Sequence, residues 1–176
     1  MTTGSASPID VPAAGRYRID PQQSTVSYSG RHMFGLGVVH ATFMISSGEL
    51  FVADPPTAST ATVVIAADSF ASGNARRDKD VSAASLLDVA TYPTITFASD
   101  GLRPDGERWV LSGTVTAHGT TVPVEVMIDR VMQEGDGIRL HARAEHLDRY
   151  DFGISKSKGM VGRYLDLDFD IFARPV

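Results

Sequence analysis

The chain is 176 residues long, 43% hydrophobic and 21% charged, with a formal net charge of −5 and no cysteine. This length fits one domain that buries roughly 70% of the surface its unfolded chain exposes, enough for a core without covalent staples. The acidic balance argues against nucleic acid, which needs a basic face, and gives no reason for long-lived attachment to an anionic membrane. The missing cysteines exclude disulfides, thiolate metal sites and a cysteine nucleophile.

Met1 to Gly15 reads MTTGSASPIDVPAAG, without a positive or apolar segment of the secretory kind. Residues 1–14 are therefore expected to form a flexible tail, 15–176 the folded domain, and the location to be cytoplasmic. No run approaches the ~20 apolar residues of a membrane span, so no stable membrane insertion is expected.

Beyond the tail, the recurring signal is alternation with period two, the mark of strands with one buried face. Between Thr25 and His32, Val26, Tyr28, Gly30 and His32 share one side. Shorter candidates are Val39 to Phe43, Ala61 to Asp68 and Ile95 to Ser99. Trp109, Leu111, Gly113, Val115 and Ala117 alternate with polar residues, as do Val122, Val124, Val126 and Ile128, and then Leu140, Ala142 and Ala144. The last strand is the cleanest: Leu165, Leu167, Phe169 and Ile171 against Tyr164, Asp166, Asp168 and Asp170. Breaks such as Pro104–Asp105–Gly106 and Gly135–Asp136–Gly137 separate several of these runs. One stretch, 74–90, lacks alternation; Ser82 ahead of Ser85, Leu86, Leu87 and Val89 predicts a short helix with a serine N-cap, a natural lid for a barrel end.

About eight short strands with a polar outer face imply closure, because an open sheet leaves unpaired edges. The predicted fold is all-β: an eight-stranded antiparallel β-barrel with a helical insertion around 74–90. A barrel of about eight strands is either filled by side chains or holds one small ligand. The predicted inward set contains Gly30, Ala41, Ala61, Ala67, Gly113, Ala117, Ala142 and Ala144. Residues this small either fit a tapered end or leave room for something else.

Several motifs carry a resemblance. Tyr17–Arg18–Ile19–Asp20–Pro21 is followed by Ser24 and Arg31–His32–Met33, then Ala41–Thr42–Phe43 and Ser47–Gly48–Glu49–Leu50. Ser69–Phe70–Ala71–Ser72–Gly73 leads to Arg77–Asp78 and Leu87, and Tyr92–Pro93 to Ile95–Thr96–Phe97–Ala98–Ser99. Gly113 to Gly119, Pro123–Val124, Arg149, Asp151 to Ile154 and Val161–Gly162 complete the order. Together they resemble the YceI-like family over nearly all of residues 16–173. The resemblance implies a lipocalin-like barrel whose tunnel holds a polyisoprenoid chain, with a binding, transport or storage role and no catalysis. The family usually has histidine where this chain has Gln23.

Chemical alternatives are weaker. The five histidines His32, His40, His118, His141 and His146 show no metal-binding spacing. His32 and His118 read as hydrogen-bonded structural residues, with contact between inward His32 and a ligand head group as the sharper alternative. His141 and the row Asp166, Asp168 and Asp170 read as solvated outer face. Arg77, beside Asp78, serves local structure, or either it or Arg76 meets a diphosphate or polar head at the tunnel mouth; Arg149 has the same two readings. No nucleophile elbow, P-loop or dinucleotide fingerprint occurs, so no enzyme is predicted.

The expected ligand is a long isoprenoid lipid of polyprenyl or quinone type, with no other cofactor and no metal. The residues expected to hold it are Val26, Tyr28, His32, Val39, Phe43, Val63, Ile65, Arg77, Phe97, Leu111, Val115, Val124, Leu167 and Phe169. Carriage of a fatty acid or fatty amide, or a filled barrel acting as an interaction protein, are the other readings. On the lipid-carrier reading, Val115→Trp or Gly113→Leu should block uptake and leave the barrel folded. A homodimer is compatible with the sequence but nothing in it selects one.

Overall fold

The computed structural model describes residues 9–32 (of His32 the main chain only), 35–158 and 160–176. Its strands are β1 (Gly15–Ile19), β2 (Thr25–His32), β3 (Gly37–Phe43), β4 (Ile45–Val52) and β5 (Thr60–Ala66). After the helix α1 (Ala75–Ser82) come β6 (Thr94–Asp105), β7 (Arg108–Ala117), β8 (Thr120–Glu134), β9 (Gly137–Asp148) and β10 (Val161–Pro175). They pair in the order β1-β4-β5-β6-β7-β8-β9-β10, and β10 returns to β1 to close the ring. β1 and β2 are two halves of one bent strand, and β3 and β4 are two halves of another, interrupted only at Met44. The result is an eight-stranded closed antiparallel barrel with one short helix, as the alternation predicts.

β10 makes the closure possible. Along one edge it meets β2 through Val161 to Asp170 and β1 through Ala173 to Pro175. At the break between those partners Phe172 has no strand opposite it, and Ser24 substitutes. The buried Ser24 hydroxyl accepts the Phe172 N–H at 2.9 Å and donates to the Phe172 carbonyl at 3.3 Å. The carboxylate of Asp20 fixes the same corner, accepting from the Gln22 N–H at 2.9 Å, the Gln23 amide at 3.2 Å and Arg174 at 2.5 Å. The Arg174 bond holds the Asp20 carboxyl below its ordinary pKa. Gln23, the departure from the family pattern, is thus part of the corner, and its carbonyl also takes a bond from Arg139.

The two barrel ends differ. One gathers the β2–β3 hairpin, the connection from β5 through α1 to β6, and the β9–β10 crossover; the other gathers the start of β1 and the end of β10. The first is capped. Phe70 is buried between Phe43 and Tyr28, with ring centroids 5.3 and 5.5 Å apart in edge-on contacts, and Leu86, Phe152 and Ile154 join the same core. The helix itself buries no residue; the residues on either side of it do the capping.

The helix also starts earlier than predicted. Asn74, not Ser82, is the N-cap, its side chain accepting the Arg77 N–H at 3.1 Å, and Ser82 is the last helical residue. Asp78 turns back to Ser72, accepting its N–H at 3.0 Å and its hydroxyl at 2.6 Å. A capping oxygen ahead of a polar segment outweighs the apolar spacing downstream, where residues 83–91 form turns.

The outer face of β8, β9 and β10 corrects another expectation. His141 and the aspartate row are not merely solvated: each member is paired across strands. His141 lies between two carboxylates, its Nδ1 at 2.6 Å from Asp129 and its Nε2 bonded to Asp168. Arg143 also reaches Asp168 at 3.0 Å, Arg139 reaches Asp170 at 3.0 Å, and Asp166 accepts the His146 N–H at 2.8 Å. Opposite charges placed across neighbouring strands reinforce register.

Two predictions follow from these contacts. Ser24→Ala leaves the buried Phe172 N–H without a partner, so unfolding in urea should show a loss of about 1–3 kcal/mol with an unchanged slope. For His141, burial opposes the charged form, but the bonds and charges of Asp129 and Asp168 outweigh it and raise the pKa above 6.5. A raised histidine contributes fully below its unfolded pKa and loses that contribution as pH climbs through the folded value. The stability gap between the natural chain and His141→Gln should be full below the ordinary histidine pKa of about 6.5 and shrink as pH rises above it. A gap that does not change with pH would refute the ion-paired state.

Candidate functional site: an apolar cavity at one end of the barrel

Opposite the cap the barrel is hollow. A cavity of about 140 Å³ lies among the inward residues of every strand except β2 and β3. Its wall includes Ile19 of β1, Leu50 and Val52 of β4, Ala61 and Val63 of β5, Phe97 and Leu102 of β6, and Trp109 and Leu111 of β7. Val126, Ile128 and Val131 of β8, Ile138, Leu140 and Ala142 of β9, and Phe169 and Ile171 of β10 complete it. Among the described lining residues Ser59 and Thr60 carry hydroxyls and Trp109 an indole N–H, and none is charged. The hollow has a simple origin in the sequence. Ala61 and Ala142 stand on β5 and β9, which the strand order places on opposite sides of the ring. Neither reaches the axis, and tight packing of the surrounding residues does not fill the gap.

The mouth is covered by the N-terminal segment. Ile9, Val11 and Pro12 line the cavity, with Pro56 of the β4–β5 connection beside them. Ile9 pairs with Val131, the Asp10 N–H donates to the Val131 carbonyl at 2.9 Å, and the Tyr17 hydroxyl donates to the Ala13 carbonyl at 2.7 Å. From Ile9 onward the segment is therefore seated on the barrel, unlike the loose tail expected for 1–14.

The predicted ligand-binding residues divide between the two halves. Val63, Phe97, Leu111 and Phe169 line the cavity. Val26, Val39, Phe43, Ile65, Val115 and Val124 are buried in the same continuous core but outside the cavity wall, and Tyr28 and Leu167 pack against that core half-buried. Arg77 lies half-buried on α1, and the side chain of His32 lies outside the described residues. The residues that the sequence reading missed, such as Ile19, Leu50, Trp109, Ile128 and Ile138, carry the same inward parity. What alternation lacks is the position along the axis where filling stops.

Two substitutions expected to plug a tunnel do not address this cavity. A side chain at Gly113 would strike the main chain of Ala98 and Ser99 on β6, because Gly113 faces the bulge there. Leucine at that position breaks the β6–β7 pair. Val115 lies in the packed half, where tryptophan overfills a core without a hole to receive it.

At the capped end aromatic rings crowd the interior. Tyr28 lays its ring over Gly30, and any Cβ at that glycine would collide with it. Burial raises the Tyr28 hydroxyl pKa. Arg149, only 4% exposed, gives its guanidinium to three carbonyls: Gly162 at 2.9 Å, Ile154 at 2.8 Å and Val161 at 3.0 Å. Desolvation lowers its pKa. These bonds serve local structure, tying the crossover to the start of β10. His118 occupies the β7–β8 turn at φ 52°, its ring 4.8 Å from that of Tyr92.

Both ring nitrogens of His141 are occupied by carboxylates, which leaves no nitrogen free to take a substrate proton. Among the described residues no cluster of histidine, aspartate and glutamate is arranged to hold a metal ion. Among them, too, no helix is long and apolar enough to cross a membrane.

Known proteins share this architecture. The model of the YceI-like domain matches residues 17–173. A UPF0312 protein of Enterobacter sp. (strain 638) is 32% identical over 174 residues, covering 95% of this chain and 87% of the relative. Protein YceI of Salmonella arizonae is 30% identical over 175 residues, with the same coverage. Among solved structures, BcnA of Burkholderia cenocepacia superposes with a TM-score of 0.78 at 21% identity, covering 88% of this chain and 98% of that one. A polyisoprenoid-binding domain from Saccharophagus degradans, implicated in plant cell wall breakdown, gives 0.68 at 17% identity, covering 91% and 98%. At such identities the structures establish the fold alone. With the family pattern running from the first barrel strand to the last, the chain belongs to the YceI-like domain family.

Proposed function

We propose that this protein is a non-catalytic carrier of a long apolar lipid of the isoprenoid class, held by its tail in the hollow half of the barrel. The observation that carries the reading is the cavity wall, which is aliphatic and aromatic throughout apart from the hydroxyls of Ser59 and Thr60 and the Trp109 indole N–H. The polyisoprenoid-binding domain of the same fold supports it.

Burial of apolar surface drives such binding at roughly 0.8 kcal/mol per methylene, or about 4 kcal/mol for a five-carbon prenyl unit. A cavity of 140 Å³ is close to the ~150 Å³ apolar site that accepts one benzene ring. The space between the walls therefore suits about one prenyl unit. A longer chain leaves through the mouth, and the segment from Ile9 to Pro12 shifts to let it pass. That segment is held by its pairing with Val131 and by packing of Ile9 on the core, and the cap at the other end by aromatic packing and by Arg149. A wall with so few directional groups selects for girth and length far more than for chemistry, so a fatty acyl chain is the competing cargo.

The test is mass measurement under native conditions on protein purified from its own host, followed by solvent extraction of the released lipid. A prenyl increment is expected; a fatty amphiphile would replace the isoprenoid assignment, and an apo mass without uptake of either added lipid class would overturn carriage altogether. Ala142→Phe supplies the structural arm. It projects a ring into the cavity from a position 2% exposed, and should reduce prenyl-lipid uptake about tenfold or more while the melting temperature holds or rises. Undiminished uptake by a folded Ala142→Phe variant would place the lipid elsewhere.

A further inference from the structure

The capped end carries a second concavity, on the outside of the barrel, which the lipid-carrier reading leaves unused. This groove of about 570 Å³ lies between the β2–β3 hairpin and the first residues of β10, with Arg31, Val38, Tyr150, Arg163 and Tyr164 in its wall. Around it stand apolar side chains with no core to enter: Leu36 is 90% exposed, Met160 53%, Val38 52% and Tyr164 42%.

Cations surround the same point. Arg149 to Arg163 holds four cations and one carboxylate, in a chain whose overall charge is −5. Lys156, Lys158 and Arg31 are exposed, and no described carboxylate lies within ion-pair distance of them; Lys158 rests over the Tyr150 ring at 5.3 Å. Arg163 is paired with Asp148 at 2.8 Å, and Asp166, also in the wall, accepts the His146 N–H. The whole-chain charge misrepresents this face, because charges more than about 8 Å away are largely screened at physiological salt.

We propose that this face docks onto an anionic lipid bilayer, with Leu36 and Met160 entering the headgroup boundary and Lys156, Lys158 and Arg31 lying at the level of the phosphates. Apolar tips flanked by unpaired cations are the arrangement that an interfacial surface requires. Nucleic acid would satisfy the cations but offers no counterpart to Leu36 and Met160. The docking is independent of what the barrel carries, so a failed cargo assay leaves it standing and a failed docking assay leaves the cargo reading intact.

Co-sedimentation of the full chain with vesicles tests it, comparing phosphatidylcholine alone with phosphatidylcholine plus phosphatidylglycerol. Binding to the mixed vesicles should exceed binding to the neutral ones by about tenfold or more, and vanish at high salt. Lys156→Glu combined with Lys158→Glu, and separately Leu36→Asp, should each abolish most of that binding; these are exposed positions, and unchanged melting curves will show that the barrel is intact. Equal binding to both vesicle types, no binding to the mixed vesicles, or variants that bind like the natural chain would each overturn the proposal. So would full competition by inorganic phosphate together with an unaffected Leu36→Asp, which would reduce the site to an anion pocket.

Discussion

Everything in this barrel depends on one strand serving two partners on one edge. β10 pairs with β2 along most of its length and with β1 over its last residues. The handover leaves Ile171 and Phe172 without a strand partner on that edge. Buried main-chain groups without partners are costly, so the gap is sustainable only because a side chain supplies what the missing strand would have supplied. Ser24 does this for Phe172, and Asp20 ties the flanking turn to Arg174. Without that corner the bent strand formed by β1 and β2 has no reason to break where it does, and the ring does not close with eight members.

Closure in turn sets up the asymmetry between the ends. The bend lets β2 and β3 lean over one end, where Tyr28, Phe43 and Phe70 meet and fill the lumen. The strands at the other end stay splayed around small residues on opposed walls. One continuous core thus carries an aromatic plug toward one end and the cavity toward the other, and the lipid site proposed above belongs to the second.

Much of this was legible in the sequence, for physical reasons that also explain the failures. Alternation is strong wherever one face is buried and the other wet, so β2, β7 and β10 are plain from Val26, Leu111 and Leu167 outward. It fails in β4, where a bulge between Ile45 and Ser47 moves Leu50 inward out of step with Ile45, and in β1, where only Tyr17 and Ile19 carry the signal. The helix was placed too late because apolar residues after Ser82 resemble a helical face, whereas the cap at Asn74 decides the start. Inward residues of the cavity were identifiable as a class. That Phe97 borders a void while Phe43 borders another ring depends on pairings far apart in sequence, which no local pattern contains. The pairing of His141 with two aspartates was hidden for the same reason: its partners sit on β8 and β10.

The β1–β10 pairing has a kinetic consequence as well. The Ser24–Phe172 contact at the corner joins residues 148 positions apart, and the β1–β10 pairs beyond it lie farther apart still. Folding rates fall as contacts become less local, and a pairing of this span is placed late because the loop it closes must first give up its freedom. A chain emerging from the ribosome cannot complete the enclosure until Ala173 to Pro175 are available. Until then the ring stays open at the β1–β10 seam, so the cavity wall is completed last.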